Sequence, residues 1–491
     1  MRGNCRTSGT LRKEEGGNVF GLGSRTPIAL TLLVKKPTTE QQKAKIYYHE
    51  IGSFLTREQK LAELKRLGSV LNEQLTLSSI TPSKDHDWIN KRSDIFEYLV
   101  PIEPDEKFCE NAHSIFRVNS RGLETARDVW VYNSSEEVVR AQAKCMVDTY
   151  NTEVSRYIEC NEKDEKILFD STKISWSSSL MTCLKKREYI EFNVSAFRVA
   201  LYRPFFKQKL YFGPRLIHRR GQWDFLFPDP QSKNLVLCVP GIGVTKDFSV
   251  MMVDIIPDLE LIGKSQCFPL YYYEKNDSQQ SDLYTSSQGQ YIRHDGISDF
   301  ALNLARELNP KITKEDIFYY IYGFLHNPEY RTRFAADLKK SLPRIFFPAT
   351  YEEFKKYCEA GRHLAKLHLN YESGHLCPSV VVSGCEHGNF KVDKMRFLAK
   401  DDKRTIIFNN DITIENIPQE AYNYVINGKS AIEWIMERYA VTIDKNSKIV
   451  NDPNQWSENP RYVLDLLLRI IQMSLETLKI VNKLPKLNLP N

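Results

Sequence analysis

Apolar and polar positions alternate at different periods along the chain, and the changes of period define its expected elements. Residues 26–34 (TPIALTLLV) are almost continuously apolar and predict a fully buried strand. Residues 44–51 (AKIYYHEI) predict a second, half-buried strand. Two strands with nothing to cover them do not make a stable domain. They are expected either to pack on downstream residues or to belong to a sheet whose remainder lies outside this sequence. Residues 56–71 predict a charged amphipathic helix beginning at a threonine cap. Residues 78–87 read as a linker, 88–98 as helix and 122–133 as loop and strand. Residues 134–150 read as a helix opened by the Ser134 to Glu137 capping pattern. Residues 161–170 are charged and expected to be exposed. From 185 to 275, aromatics alternate with short apolar runs broken by Gly and Pro, a β signature. Residues 275–296 are polar and expected to form a mobile loop. Helical spacing returns over 299–342, 351–369 and 460–483, with a β meander at 380–415 between the last two. No internal repeat interrupts this order.

Composition narrows the class. With 491 residues, 42% hydrophobic and 26% charged, the chain has enough apolar side chains for more than one sizeable core. No apolar run in the N-terminal region is long enough to span a bilayer, and no signal-peptide pattern is present. The ten cysteines are scattered without a CxxC pair, which suits a reducing, cytoplasmic setting. Net charge is +6, but its distribution is uneven. Residues 1–50 hold nine Lys/Arg and four Asp/Glu; residues 185–223 hold ten Lys/Arg and two Asp/Glu. The remainder is net acidic. Such concentration fits a polyanionic partner, with a solvated basic face as the alternative.

Several chemistries have no residues to carry them. An amino-methyltransferase acting on DNA needs an Asn-Pro-Pro-aromatic loop around the extruded base. Asn309-Pro310, Asn327-Pro328 and Asn459-Pro460 all lack the second proline. Gly21-Leu22-Gly23 is followed by no helix pattern, so it is no nucleotide fingerprint, and no GxxxxGK[ST] phosphate loop occurs. His375/Cys377 and Cys385/His387 form a symmetric pair of HxC and CxH, but ordinary buried cysteines with surface histidines account for them better than zinc does. His363 and His368, five apart on a helix, do not share a face. No catalytic, cofactor-binding or metal-ligating residue is assigned.

The band KKREYIEFNVSAFRVALYRPFFKQKLYFGPRLIHRRGQW, residues 185–223, interleaves aromatics with cations. Lys and Arg replace condensed counterions on phosphates, Arg forks read guanine, and aromatic rings stack on or wedge between bases. Pro204 fixes the backbone after Arg203. The alternative is an edge strand whose cations snorkel over an aromatic core.

Ordered motifs carry a family resemblance. They include Arg2-Gly-Asn4 with Glu15-Gly-Gly-Asn-Val-Phe20, Gly122-Leu-Glu-Thr-Ala-Arg-Asp128 with Trp130 and Tyr132, and Tyr202-Arg-Pro-Phe205 with Tyr211-Phe212. Cys267-Phe-Pro-Leu-Tyr271, Tyr319-Tyr-Ile-Tyr-Gly323, Tyr330-Arg331, Gly361-Arg-His-Leu364 and Asp452-Pro-Asn454 follow in order. The chain resembles the C-terminal region of Type ISP restriction-modification enzymes and related adenine methyltransferases. The resemblance implies an α+β chain: a truncated edge of a Rossmann-like methyltransferase sheet in residues 1–75, then a mixed α/β specificity region over 76–491, subdivided near 296, with a β-rich core and a helical C-terminal part. It also implies sequence-specific binding of double-stranded DNA. S-adenosylmethionine would belong to the parent enzyme and not to this chain. Resemblance and charge together nominate Arg203, Arg198, Tyr202, Phe205, Lys207 and Lys209, then Arg121 and Arg127, as DNA-binding residues. Two other readings are a subunit working in trans with a separately encoded methyltransferase or helicase-like chain, and a remnant of a disrupted gene.

Overall fold

The structure, a computed structural model, describes residues 2–5, 9–35, 44–109, 113–160, 167–276, 291–399 and 402–489. Near the N-terminus, a short helix Gly9–Glu15 leads towards the better-defined helix Arg57–Leu67. Thr56 closes a capping box: its hydroxyl accepts from the Gln59 amide while the Gln59 side chain accepts from the Thr56 amide. Lys60 of this helix is fully buried, and its ammonium donates to the carbonyls of Arg2, Glu15 and Gly17 at 2.8, 2.6 and 2.9 Å. One cation thus satisfies three backbone acceptors and ties the glycine-rich opening to the helix.

Residues 27–35 differ from expectation. They form no strand, and Leu30 and Leu33 are 79% and 86% exposed. A strand needs a neighbour for its amides, and none of the described strands lies beside this segment. Ile46–Tyr48 is a strand, but it pairs with Ser78–Ile80, within the expected linker. The expected helix over 88–98 is reduced to a single 3-10 turn, Asp94–Tyr98.

The long helix Glu136–Glu159 starts at Ser135, whose hydroxyl accepts from the Val138 amide. Val139, Ala143, Met146, Val147, Tyr150 and Val154 recur at helical spacing and are buried. That face packs on the hairpin Phe197–Arg203/Phe206–Tyr211. The hairpin is the centre of a four-stranded sheet ordered Ile256–Pro257, Phe197–Arg203, Phe206–Tyr211, Tyr132–Asn133. A second four-stranded sheet runs Ser120–Arg121, Gln266–Pro269, Val236–Val239, Met251–Val253. The expected mobile loop is strand at its end: Tyr291–Asp295 pairs with Tyr271–Lys275, while 277–290 lie outside the described residues. So do 161–166 of the segment expected to be exposed.

Ser298, Thr313, Asn327 and Thr350 cap the helices Asp299–Arg306, Lys314–Phe324, Pro328–Arg333 and Tyr351–Leu369. The second and fourth cross at Gly323 and Gly361, where a methyl group on either glycine would collide with a backbone carbonyl of the facing helix, Tyr357 or Tyr319 respectively. His368 is buried between the Tyr322 hydroxyl and the Thr477 hydroxyl, which joins this pair to the last helix, Tyr462–Val481. The expected meander is a four-stranded sheet ordered Val381–Ser383, Thr413–Glu415, Asp402–Ile407, Arg396–Ala399, so its first strand pairs with its last.

Two apolar cores result. One draws on residues from Val118 to Met473, the other from Phe96 to Ala365. Among the described residues, no helix is long and apolar enough to cross a membrane.

Candidate nucleic-acid interface

The basic aromatic band folds as the hairpin of the first four-stranded sheet, and its turn is Pro204-Phe205. Phe205 has φ of +58°, the left-handed value that a proline-led type II turn needs at its third position. A bulky side chain there is unusual. Its ring is completely buried, edge-on to Tyr371 with centroids 5.2 Å apart, and burial of this size offsets the backbone strain.

The neighbouring Arg203 points back into the protein. Its guanidinium lies 3.9 Å from the Tyr202 ring centroid, and Nη1 donates to Asp258 Oδ1 at 2.7 Å. Arg203 and Asp258 side chains are 13% and 4% exposed. Asp258 also accepts from the Glu260 amide at 2.8 Å. Burial pushes its carboxyl up to about 7, against the opposing pull of Arg203. Tyr202 donates to Asp128 Oδ2 at 2.9 Å.

The other nominated residues are similarly engaged. Arg198 donates to the carbonyls of Ser195 and Phe197. Lys207 pairs with Glu372 at 2.6 Å and sits over Tyr371; Lys209 lies 3.5 Å from Glu136 and over Trp456. Arg127 is buried, donates to the Leu216 carbonyl and Ser177 hydroxyl, and is lowered to about 10 by burial. Tyr202, Arg203, Phe205 and Arg127 are therefore packed into the frame. Arg198, Lys207 and Lys209 are partly accessible, and Arg121 is 46% exposed.

Arg121 belongs to a different grouping that the folded chain assembles from distant segments. It stands on the edge strand Ser120–Arg121, paired opposite Gln266. Arg219, 60% exposed, joins it across Glu124, which lies 3.6 Å from Arg121 and 3.5 Å from Arg219. Beyond Gln266 comes exposed Lys264, whose ammonium reaches the Ile242 carbonyl at 3.5 Å. The loop after Ile242 is held by Gly243, whose amide donates to the Lys339 carbonyl. Lys246, Arg331 and Lys339 then line one cleft. Arg121 and Arg219 alone are 98 residues apart in sequence, so no local charge count could find this group of six cations. Only Arg219 falls inside the basic aromatic band, and the Tyr330-Arg331 pair gave no hint of a role for Arg331.

Among the described residues, no group of three or more His, Cys, Asp or Glu is placed to hold a metal ion. Cys377 is buried beside the Ser379 hydroxyl, and His387 is exposed.

Comparison with curated proteins gives no match. Among solved structures, a nuclease-deletion mutant of the Type ISP restriction-modification enzyme LlaGI, in complex with a DNA substrate mimic, is 36% identical over the whole of this chain, with TM-score 0.86. The ATP-dependent Type ISP restriction-modification enzyme LlaBIII, bound to DNA, is 33% identical with TM-score 0.85, and the DrdV–DNA complex is 27% identical with TM-score 0.80. All three superpose on 100% of this chain, which spans 43%, 30% and 47% of theirs. The family described as the Type ISP C-terminal specificity domain matches residues 114–466, and the chain belongs to that family.

Proposed function

We propose that this chain recognises a short duplex DNA sequence as the specificity module of an adenine-N6 methyltransferase of restriction-modification type. The observation that supports this most directly is the similarity of the whole of this chain to 43% of a relative, 36% identical, whose structure is a complex with a DNA substrate mimic. The run of cations from Arg219 through Arg121 and Lys264 to the Lys246 cleft supplies what a phosphate backbone requires. In this reading Arg121, Arg219 and Lys264 meet DNA. Arg198, Lys207 and Lys209 add charge at the hairpin, while Arg203, Tyr202, Phe205 and Arg127 hold it in shape. S-adenosylmethionine is bound by the methyltransferase part of the assembly.

Fluorescence anisotropy of the purified chain with duplex DNA, across a salt series, tests the proposal. Affinity is expected to fall steeply with salt. Replacing Arg121 and Arg219 by Glu is expected to weaken binding at least tenfold and to flatten the salt slope by about one for each phosphate no longer neutralised. Wild-type binding that the double variant leaves unchanged would remove these residues from the interface.

One observation favours a second reading, in which the chain works in trans with a separately encoded methyltransferase. The apolar side chains of 30–34 face solvent, and a run of this size invites a covering partner. Co-purification with a methyltransferase polypeptide, abolished on replacing Leu30 and Leu33 by Ser, would support it; co-purification that survives the change would refute this docking segment.

A further inference from the structure

A cleft of about 350 Å³ opens between the loop around Lys246 and the helix Pro328–Arg333. Its charged lining is Lys246, Asp247, Arg331 and Lys339. Asp247 is highly exposed and lies 3.9 Å from Lys339, a loose contact at the mouth. Deeper in, Arg331 lies 5.7 Å from the Phe248 ring centroid and donates from Nε to the Leu325 carbonyl at 2.7 Å. Its two terminal nitrogens have no partner among the described residues, and neither Arg331 nor Lys246 forms an ion pair there. Lys246 donates to the Asn427 side-chain oxygen at 2.9 Å, a neutral acceptor. Asn427 is itself fixed. It and Gly428 form the two-residue turn of the hairpin Val425–Ile426/Lys429–Ser430, with φ of +49° and +79°, the geometry that favours Asn-Gly. Its amide nitrogen Nδ2 donates to the Leu261 carbonyl at 3.2 Å, which turns Oδ1 to Lys246.

Burial lowers Arg331 to about 10, and burial with nearby Lys429 lowers Lys246. Two cations thus line one opening with neither ion-paired to a carboxylate: Asp247 sits exposed at the mouth, and Glu260 and Glu437 act on Lys246 only from a distance. Such an arrangement is costly unless an anion completes it. A cleft lined by one guanidinium and two lysines matches a group that carries several charged oxygens.

We propose that this cleft is a phosphate-binding site, with Arg331 and Lys246 as its inner ligands and Lys339 at its mouth. The run of cations leading to it from Arg121 points to a DNA backbone phosphate as the occupant, and that part rests on the DNA-binding function proposed above. A free phosphate ion shares the chemistry, and the experiment separates the two.

Wild type, Arg331→Gln and the double variant Lys246→Gln/Lys339→Gln are compared in two assays. In the first, Tm is followed against inorganic phosphate with ionic strength held constant by chloride. Wild type is expected to gain roughly 1 °C for each tenfold of phosphate above its Kd, and both variants to lose this response. In the second, the salt slope of duplex binding is expected to fall by about one in each variant. The double variant covers the case in which Arg331→Gln fails to fold. A phosphate response with an unchanged slope assigns the site to free phosphate. A phosphate response in a chain that binds no DNA leaves the cleft intact and refutes the DNA-binding function. No phosphate-specific rise in wild type together with an unchanged slope in the variants overturns the site.

Discussion

Arg203→Ala separates a residue that reads DNA from one that holds the fold. The structure places its guanidinium 2.7 Å from a carboxylate that is 4% exposed, so the substitution strands Asp258 without its cation. Removing one partner of a buried pair costs about 3–5 kcal/mol when the other stays charged. The loss should depend on pH because Asp258 already titrates at about 7. An ordinary aspartate titrates near ~3.9, a difference on the order of 4 kcal/mol against ionisation in the folded state. The folded protein holds this proton more tightly than the unfolded chain. The contribution of the protonated group is therefore complete below about pH 4 and declines as pH rises through 7. Without Arg203 the folded carboxyl shifts higher still, and the decline extends above 7. Urea unfolding at pH 5 and pH 8 measures the effect. At pH 5, where Asp258 accepts a proton, the variant should lose about 1–2 kcal/mol; at pH 8, one unit above the wild-type titration at about 7, the loss should grow by up to about 1.4 kcal/mol. Adding Asp258→Asn should recover much of the pH 8 loss. Unchanged stability with reduced DNA affinity would refute the reasoning and return Arg203 to the DNA surface.

Gly361→Ala should destabilise by at least about 1–3 kcal/mol, because its methyl group would press on the Tyr319 carbonyl where two helices cross; a thermal melt matching wild type would show that the helices separate freely. Burial lowers His368 to about 3, so the folded state holds it neutral while the unfolded chain protonates near ~6.5. Its contribution is complete above about pH 6.5 and is lost as pH falls towards 3, at up to about 1.4 kcal/mol per pH unit. His368→Gln should remove one proton's share of that acid slope, and an unchanged slope would rule the residue out.

Much of the helical framework is written locally. Residues 351–369 show Thr350 before two glutamates and an apolar face at helical spacing, and the helix has those bounds. Thr56 and Gln59 likewise announce their helix. Strands are less legible because their partners are remote: Ser78–Ile80 looks like a linker until Ile46–Tyr48 lies beside it, and Tyr291–Asp295 looks like loop until it meets Tyr271–Lys275. The same distance obscures the site. In the band, Arg203, Lys207 and Lys209 read as free cations because Asp258, Glu372 and Glu136 are 55, 165 and 73 residues away. Conversely, the cations from Arg121 to Lys339 gather only when two sheets and a helix are in place. Composition concentrates positive charge in one band, while tertiary pairing decides which of those side chains stay accessible.

The interleaving of the two cores bears on how the chain is made. One core draws on residues 118 to 473 and the other lies within that span for most of its length. A ribosome releasing the chain must therefore deliver every residue through Met473 before the larger core can close. Until the last helix emerges, the faces awaiting it remain wet and adhesive. Premature termination before Tyr462 would yield an aggregating product rather than a smaller working module.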